Sequence, residues 1–176
     1  MKVRAFFISD KIKVHEVINY HYPVFWKTFN FNDFDVSTAN WSAELKYLTV
    51  DEMDVTDDIK RLPENAGGIY IFFIKGLVVP QFETHLAYIG RAQLTPKHNL
   101  RMRCRKYFYE FFDEINGRPQ ITKMIGKWGA HLYLRYLPLI DNDQIKRLEA
   151  ELIKAIMPPF NEDIPDKIIK QAIAAF

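Results

Sequence analysis

Only one cysteine, Cys104, occurs in the 176 residues, which excludes an internal disulfide framework and any cysteine-rich zinc site. The five histidines, at 15, 21, 85, 98 and 131, show no paired ligand spacing, so no structural metal is expected. Long hydrophobic runs are missing too. The longest, such as "GIYIFFI", fall far short of the roughly 20 residues that a membrane span needs, and "MKVRAFFISD" lacks a signal-peptide pattern. These absences point to a soluble, cytoplasmic chain with no membrane partner. Low-complexity segments and internal repeats are absent, and at 48% apolar residues the chain can bury a real core as one domain or one domain with an elaboration.

Charge is almost balanced overall but unevenly distributed. Residues 1–66 hold eight Lys and Arg against eleven Asp and Glu, whereas residues 67–176 hold sixteen against eleven. The second part therefore carries the basic character. Between Arg91 and Lys106, the cations Arg91, Lys97, Arg101, Arg103, Arg105 and Lys106 occur with no acidic residue among them, a stretch suited to a polyanion or to a solvated helix face.

Strand signals begin at Gly67, where residues to Ile74 are β-branched, aromatic or glycine. "HLAYIG" at 85–90 repeats that composition after an interruption at Gly76 and Pro80, which predicts an antiparallel hairpin with a long loop. In "NLRMRCRKYFYEFFDEI" the residues Leu100, Cys104, Tyr107, Phe108, Phe111, Phe112 and Ile115 recur at spacings of three and four, marking an amphipathic helix that Asn99 can cap. A shorter helix follows over 119–127 with Pro119 in its first turn, then "AHLYLRYLPL" alternates as a third strand. Asp141 or Asn142 can cap a last major helix that runs to Met157 and stops at Pro158 and Pro159, and the tail over 166–176 can add a short helix. The expected class is α/β in the α+β sense, a small central antiparallel three-stranded sheet flanked by helices. Residues 1–62 form an N-terminal α+β elaboration, rich in aromatics between Tyr20 and Trp41, with "AELKYLTV" alternating like a strand and "DEMDVTDD" reading as a solvated loop or helix start.

One carboxylate stands out. On a helical wheel Ile145, Leu148, Leu152, Ile153 and Ile156 form the apolar face of the last helix, and Glu149 falls inside it. An unpaired buried carboxylate costs several kcal/mol, so Glu149 must meet an arginine, solvent at the rim or a divalent metal.

Together these pieces resemble the GIY-YIG nuclease family. Its two tripeptides stand here as Gly68-Ile69-Tyr70 and Tyr88-Ile89-Gly90, its arginine helix as "NLRMRCRKYF" with Arg103 and Tyr107, and its glutamate helix and asparagine as "EAELIKAIMPPFN" with Glu149 and Asn161. Residues 62–165 carry the resemblance, so it implies a nuclease domain over 63–165. The connection between the tripeptides and the segment "QLTPKHN" are longer than is common in the family, as in its restriction-enzyme members.

The resemblance implies a metal-dependent DNA endonuclease of restriction or phage-defence type. The alternatives are a structure-specific or single-strand nuclease of repair or mobile elements, and a nucleic-acid-binding module that no longer cleaves. Glu149 would hold one Mg²⁺ or Mn²⁺, and Arg103 would set a planar fork on the phosphate, with Arg91 adding a second charge. Tyr70 is expected as general base and Tyr88 as orienter of water and phosphate, and the reverse assignment fits the sequence as well. Tyr107 would hold a phosphate or the metal's water shell, and Asn161 would anchor Glu149 or the strand pair. Arg91, Lys97, His98, Arg101, Arg105 and Lys106 are the expected DNA contacts. A duplex cut needs two sites or two encounters, so a homodimer or assembly on DNA is implied.

Overall fold

The computed structural model describes residues 23–29, 35–76, 84–112 and 118–161. The expected tail helix over 166–176, Pro80, Ile115 and the first 22 residues lie outside them. Strand β1 is Leu45–Lys46, β2 is Gly67–Lys75, β3 is Thr84–Ala92 and β4 is Leu132–Leu139, all antiparallel in the order β1-β4-β2-β3. The helices are α1 (Pro23–Thr28), α2 (Asp57–Lys60), α3 (Leu100–Phe112), α4 (Pro119–Trp128) and α5 (Asn142–Ile156).

The sheet thus has four strands where three are expected. The extra one comes from "AELKYLTV", of which only Leu45 and Lys46 pair, opposite Leu134 and Tyr133. The Tyr47 N–H still reaches the Leu132 carbonyl of β4, after which Leu48 bridges to Val55 instead, and both side chains are buried. The acidic segment becomes a turn leading into α2, with Asp54 paired to Lys60 at 2.7 Å.

β2 is apolar without alternation because it is central and both its faces are covered. One face sends Tyr70, Phe72 and Ile74 against Leu100, Cys104 and Tyr107 of α3, Ile121 and Met124 of α4, and Tyr47, Ile59 and Leu62 from the N-terminal part. The other sends Ile69, with Ile89 and Leu137, against Ile145, Leu148, Leu152 and Ile153 of α5. The result is three layers, α3 and α4 over one face and α5 over the other, and residues 45–62 share the first core.

Caps fix the helix ends. Asn99 accepts from the Met102 N–H at 2.9 Å, and Asp141 accepts from the N–H groups of Asp143 and Gln144. Met157, in the left-handed region at φ 51°, ends α5 ahead of the two prolines. The N-terminal half of α3 is tied to the chain before β2: the Leu100 N–H reaches the Ala66 carbonyl at 3.0 Å, and Arg101 Nε reaches the Leu62 carbonyl at 2.8 Å. Tyr47 Oη adds a bond to the Cys104 carbonyl at 2.8 Å.

Gly68 sits at φ +143°, and a Cβ there would overlap the Leu137 carbonyl oxygen on the paired strand β4. Gly68→Ala is therefore expected to destabilise the protein by about 3 kcal/mol, on the order of 10 °C in Tm. A thermal melt showing a shift below about 2 °C would contradict this.

Candidate functional site

Register decides which side chains meet. Tyr88 pairs with Phe72, and Arg91 pairs with Ile69, so three residues along one strand take them to opposite faces. Tyr88 faces α3 and Arg91 faces α5. Tyr70 pairs with Gly90, so it lies diagonal to Tyr88 on the same face, and its ring passes over the glycine. A Cβ at Gly90 would come within 2.5 Å of the Tyr70 hydroxyl. The second tripeptide needs glycine because the first tripeptide's phenol occupies that space.

Three phenols then form a chain. Tyr107 donates to Tyr88 Oη at 3.2 Å, Tyr70 and Tyr107 share a short hydrogen bond, and Arg103 Nε donates to Tyr70 Oη at 3.3 Å. Each hydroxyl has one proton, so the donors run from Arg103 through Tyr70 and Tyr107 to Tyr88. Burial pushes the Tyr70 and Tyr107 phenols well above the usual tyrosine range, and the Arg103 cation opposes this only in part. Tyr70 is 0% exposed, whereas Tyr88, itself buried at 9% exposure, lines the wall of a cleft of about 650 Å³.

The cleft runs along the free edge of β3, where the two helical layers overhang it. Its wall takes Tyr88 and Arg91 from β3, Arg103 from α3, Arg118 before α4, and Lys146 and Glu149 from α5. Three arginines and a lysine thus share the cleft wall with one carboxylate, and His98 lines it too. Glu149 sits inside the apolar stripe of α5 as its spacing requires, 15% exposed, and forms an ion pair with Arg91. Burial holds its carboxyl above the ordinary carboxylate value even though the Arg91 guanidinium pulls the other way.

Two side-chain amides strap α5 to this strand. Asn161 accepts from the Ile89 N–H at 2.9 Å and donates to the Ile89 carbonyl at 2.8 Å, and the Phe160 N–H joins the Ala87 carbonyl at 3.1 Å. At the other end of α5, Asn142 makes the same two bonds to Leu94, at 2.8 and 3.0 Å. Edge backbone groups are thereby satisfied without another strand. The hydrogen bonds of the Asn161 side chain thus anchor the strand, not Glu149.

The other expected DNA contacts divide. Lys97 is exposed in the turn closed by Thr95 and His98, beside the cleft. Arg101 is engaged with Leu62 and Glu64, Arg105 with Tyr109 at 3.0 Å, and Lys106 with Glu110 at 3.6 Å; none of the three lines the cleft. Arg118 and Lys146 were missed by pattern reading. Lys146 was findable, since it precedes Glu149 by three residues on one helix face. Arg118 lies in a stretch with no period.

Among the described residues no group of three His, Cys, Asp or Glu could cage a metal ion. A hard divalent cation that takes one carboxylate oxygen and fills its other positions with water and phosphate fits Glu149. No protein-family model, curated protein or solved structure matches the chain.

Because its folded pKa is raised, Glu149 contributes stability only when protonated, and this contribution is lost as pH rises through that raised value. Glu149→Gln should therefore melt above the wild type at neutral pH, with the gap closing as pH falls into the ordinary carboxylate range. Melts in which the variant is less stable at neutral pH would show that the Arg91 pair outweighs burial.

Proposed function

We propose that this chain is a metal-dependent DNA endonuclease with the GIY-YIG arrangement, of restriction or phage-defence type. The observation that carries the reading is the meeting of Tyr88, Arg103 and Glu149 on one cationic cleft around a single carboxylate, with Asn161 securing the strand between them. Excess positive charge suits the phosphate backbone, and a lone acid among cations suits phosphodiester hydrolysis better than a purely electrostatic grip. The order of hairpin, two helices, strand and helix is the one that the resemblance implies.

Glu149 would hold the Mg²⁺ or Mn²⁺, which when bound supplies positive charge to a phosphoryl oxygen and helps deliver water. Arg103, anchored on Tyr70 and stacked 5.0 Å from the Tyr107 ring centre, offers its guanidinium to the scissile phosphate. Arg91 leaves its pair with Glu149 to meet phosphate as the substrate enters.

Between the two tyrosine assignments that the sequence leaves open, its place on the cleft wall, which Tyr70 lacks, favours Tyr88 as the group that meets water. An oxyanion on Tyr88 would accept the Tyr107 hydrogen bond, backed by Tyr70 and finally by the Arg103 cation. Tyr70 then acts through that chain.

Plasmid cleavage tests the proposal. Wild type with Mg²⁺ should give discrete fragments, and EDTA or Glu149→Gln should abolish them. Tyr88→Phe should lower kcat by about 10²–10⁴, with Tyr70→Phe costing less. A greater loss in Tyr70→Phe would return the base to Tyr70. Nicks, or cutting confined to single strands or junctions, would move the enzyme to the structure-specific branch, and binding without any cut would leave a nucleic-acid-binding module.

A further inference from the structure

Arg118 lies outside the set of side chains that the resemblance supplies, yet it stands on the cleft wall beside Arg103. It precedes Pro119, and its backbone is extended at φ −77° and ψ 121°, the conformation a following proline favours. That directs the chain into α4 and leaves the side chain to return toward α3. There the guanidinium is fixed on two sides. Nε and Nη2 donate to Oε2 of Glu110 at 3.0 and 2.8 Å, and the guanidinium carbon lies 4.6 Å from the Tyr107 ring centre. Arg103 lies 5.0 Å from the same ring centre, so the two guanidinium carbons are no more than about 10 Å apart.

Glu110 is mostly buried, with 14% of its side chain exposed, while the Arg118 side chain keeps 34% of its surface open. Lys106 approaches the same carboxylate at 3.6 Å, so Glu110 is more than neutralised locally. An arginine has five N–H donors, of which the Glu110 carboxylate takes two. A cation so held has already lost most of its rotamer freedom, which lowers the cost of gripping an anion.

We propose that Arg118 is a substrate-binding residue that gives the nucleic-acid phosphate backbone a second guanidinium beside Arg103, and that Glu110 is the positioning residue that aims it. This rests on the nuclease reading and extends it to a contact outside the signature residues. The cleft then grips the strand from α3 and α4 together, independently of the Arg91 and Glu149 pair on α5.

The test is a fluorescence-anisotropy titration of labelled duplex DNA in EDTA, over a salt series, for wild type, Arg118→Gln, Arg118→Lys, Glu110→Gln and Lys60→Gln. Arg118→Gln should bind about tenfold more weakly, and its slope of log affinity against log salt should be shallower by about one. Arg118→Lys and Glu110→Gln should keep the wild-type slope with reduced affinity, because charge remains but aim is lost. Lys60→Gln removes a cation in α2 and should match wild type. Should Arg118→Gln fail to fold by circular dichroism, the Arg118→Lys and Glu110→Gln arms decide. Wild-type affinity and slope in Arg118→Gln, or an equal loss in Lys60→Gln, would overturn the inference and leave the nuclease reading standing. A wild type that binds no duplex would remove both.

Discussion

Two asparagine amides hold the molecule's working edge in place. Asn142 starts α5 and Asn161 follows it five residues past Ile156, and each satisfies both backbone groups of one residue along β3 or just beyond it. An edge strand would otherwise present unpaired donors and acceptors to solvent or to another chain. Here the same bonds fix α5 against the strand at two points, and Glu149 and Arg91 lie between them. Loosening either strap would let the carboxylate drift from the strand that carries Tyr88 and Arg91, while the core residues of α5 stayed packed. The asparagines thus convert a packing relation between layers into a fixed distance between chemical groups.

Electrostatics at the cleft runs against stability. Glu149 is held among isoleucines and leucines with Arg91 paired to it, and burial raises its carboxyl even so. Tyr70 and Tyr107 are phenols in a core that excludes water, connected to one another and to Arg103 because an unsatisfied hydroxyl there would cost more. Strain of this kind is common where side chains serve a reaction. In the proposed nuclease it leaves one acid, one phenol on the cleft wall and several cations facing the same space.

Much of the fold was legible because its periods were clean. The β-branched and aromatic run from Gly67 to Ile74 announced a strand of the hairpin, Pro119 and Asp141 marked helix starts, and the spacing around Glu149 placed it on the apolar stripe of α5. The strand in "AELKYLTV" was legible from its alternation, but its place as a two-residue fourth strand of the main sheet was not, since that depends on pairing with β4 and on the neighbouring Tyr47 and Leu48 belonging to the core. The site was partly legible. The resemblance placed Tyr88 and Arg103, and strand alternation alone sets Tyr88 and Arg91 on opposite faces, but the sealing of Tyr70 beneath Gly90 and the diversion of Arg101 to Leu62 depend on register and tertiary contacts. Arg118 reaches the cleft only because α4 packs on α3, which no local pattern encodes.

The proposed nuclease chemistry turns on Glu149 as the single protein ligand of a divalent cation. Electron paramagnetic resonance of Mn²⁺, titrated into wild type and Glu149→Gln with a phosphorothioate duplex that resists cleavage, addresses it directly. One bound Mn²⁺ per wild-type chain, strengthened by the duplex and absent in Glu149→Gln, is the predicted result. Equal Mn²⁺ binding in the two proteins would contradict it and would move the cation, if it acts at all, away from this cleft.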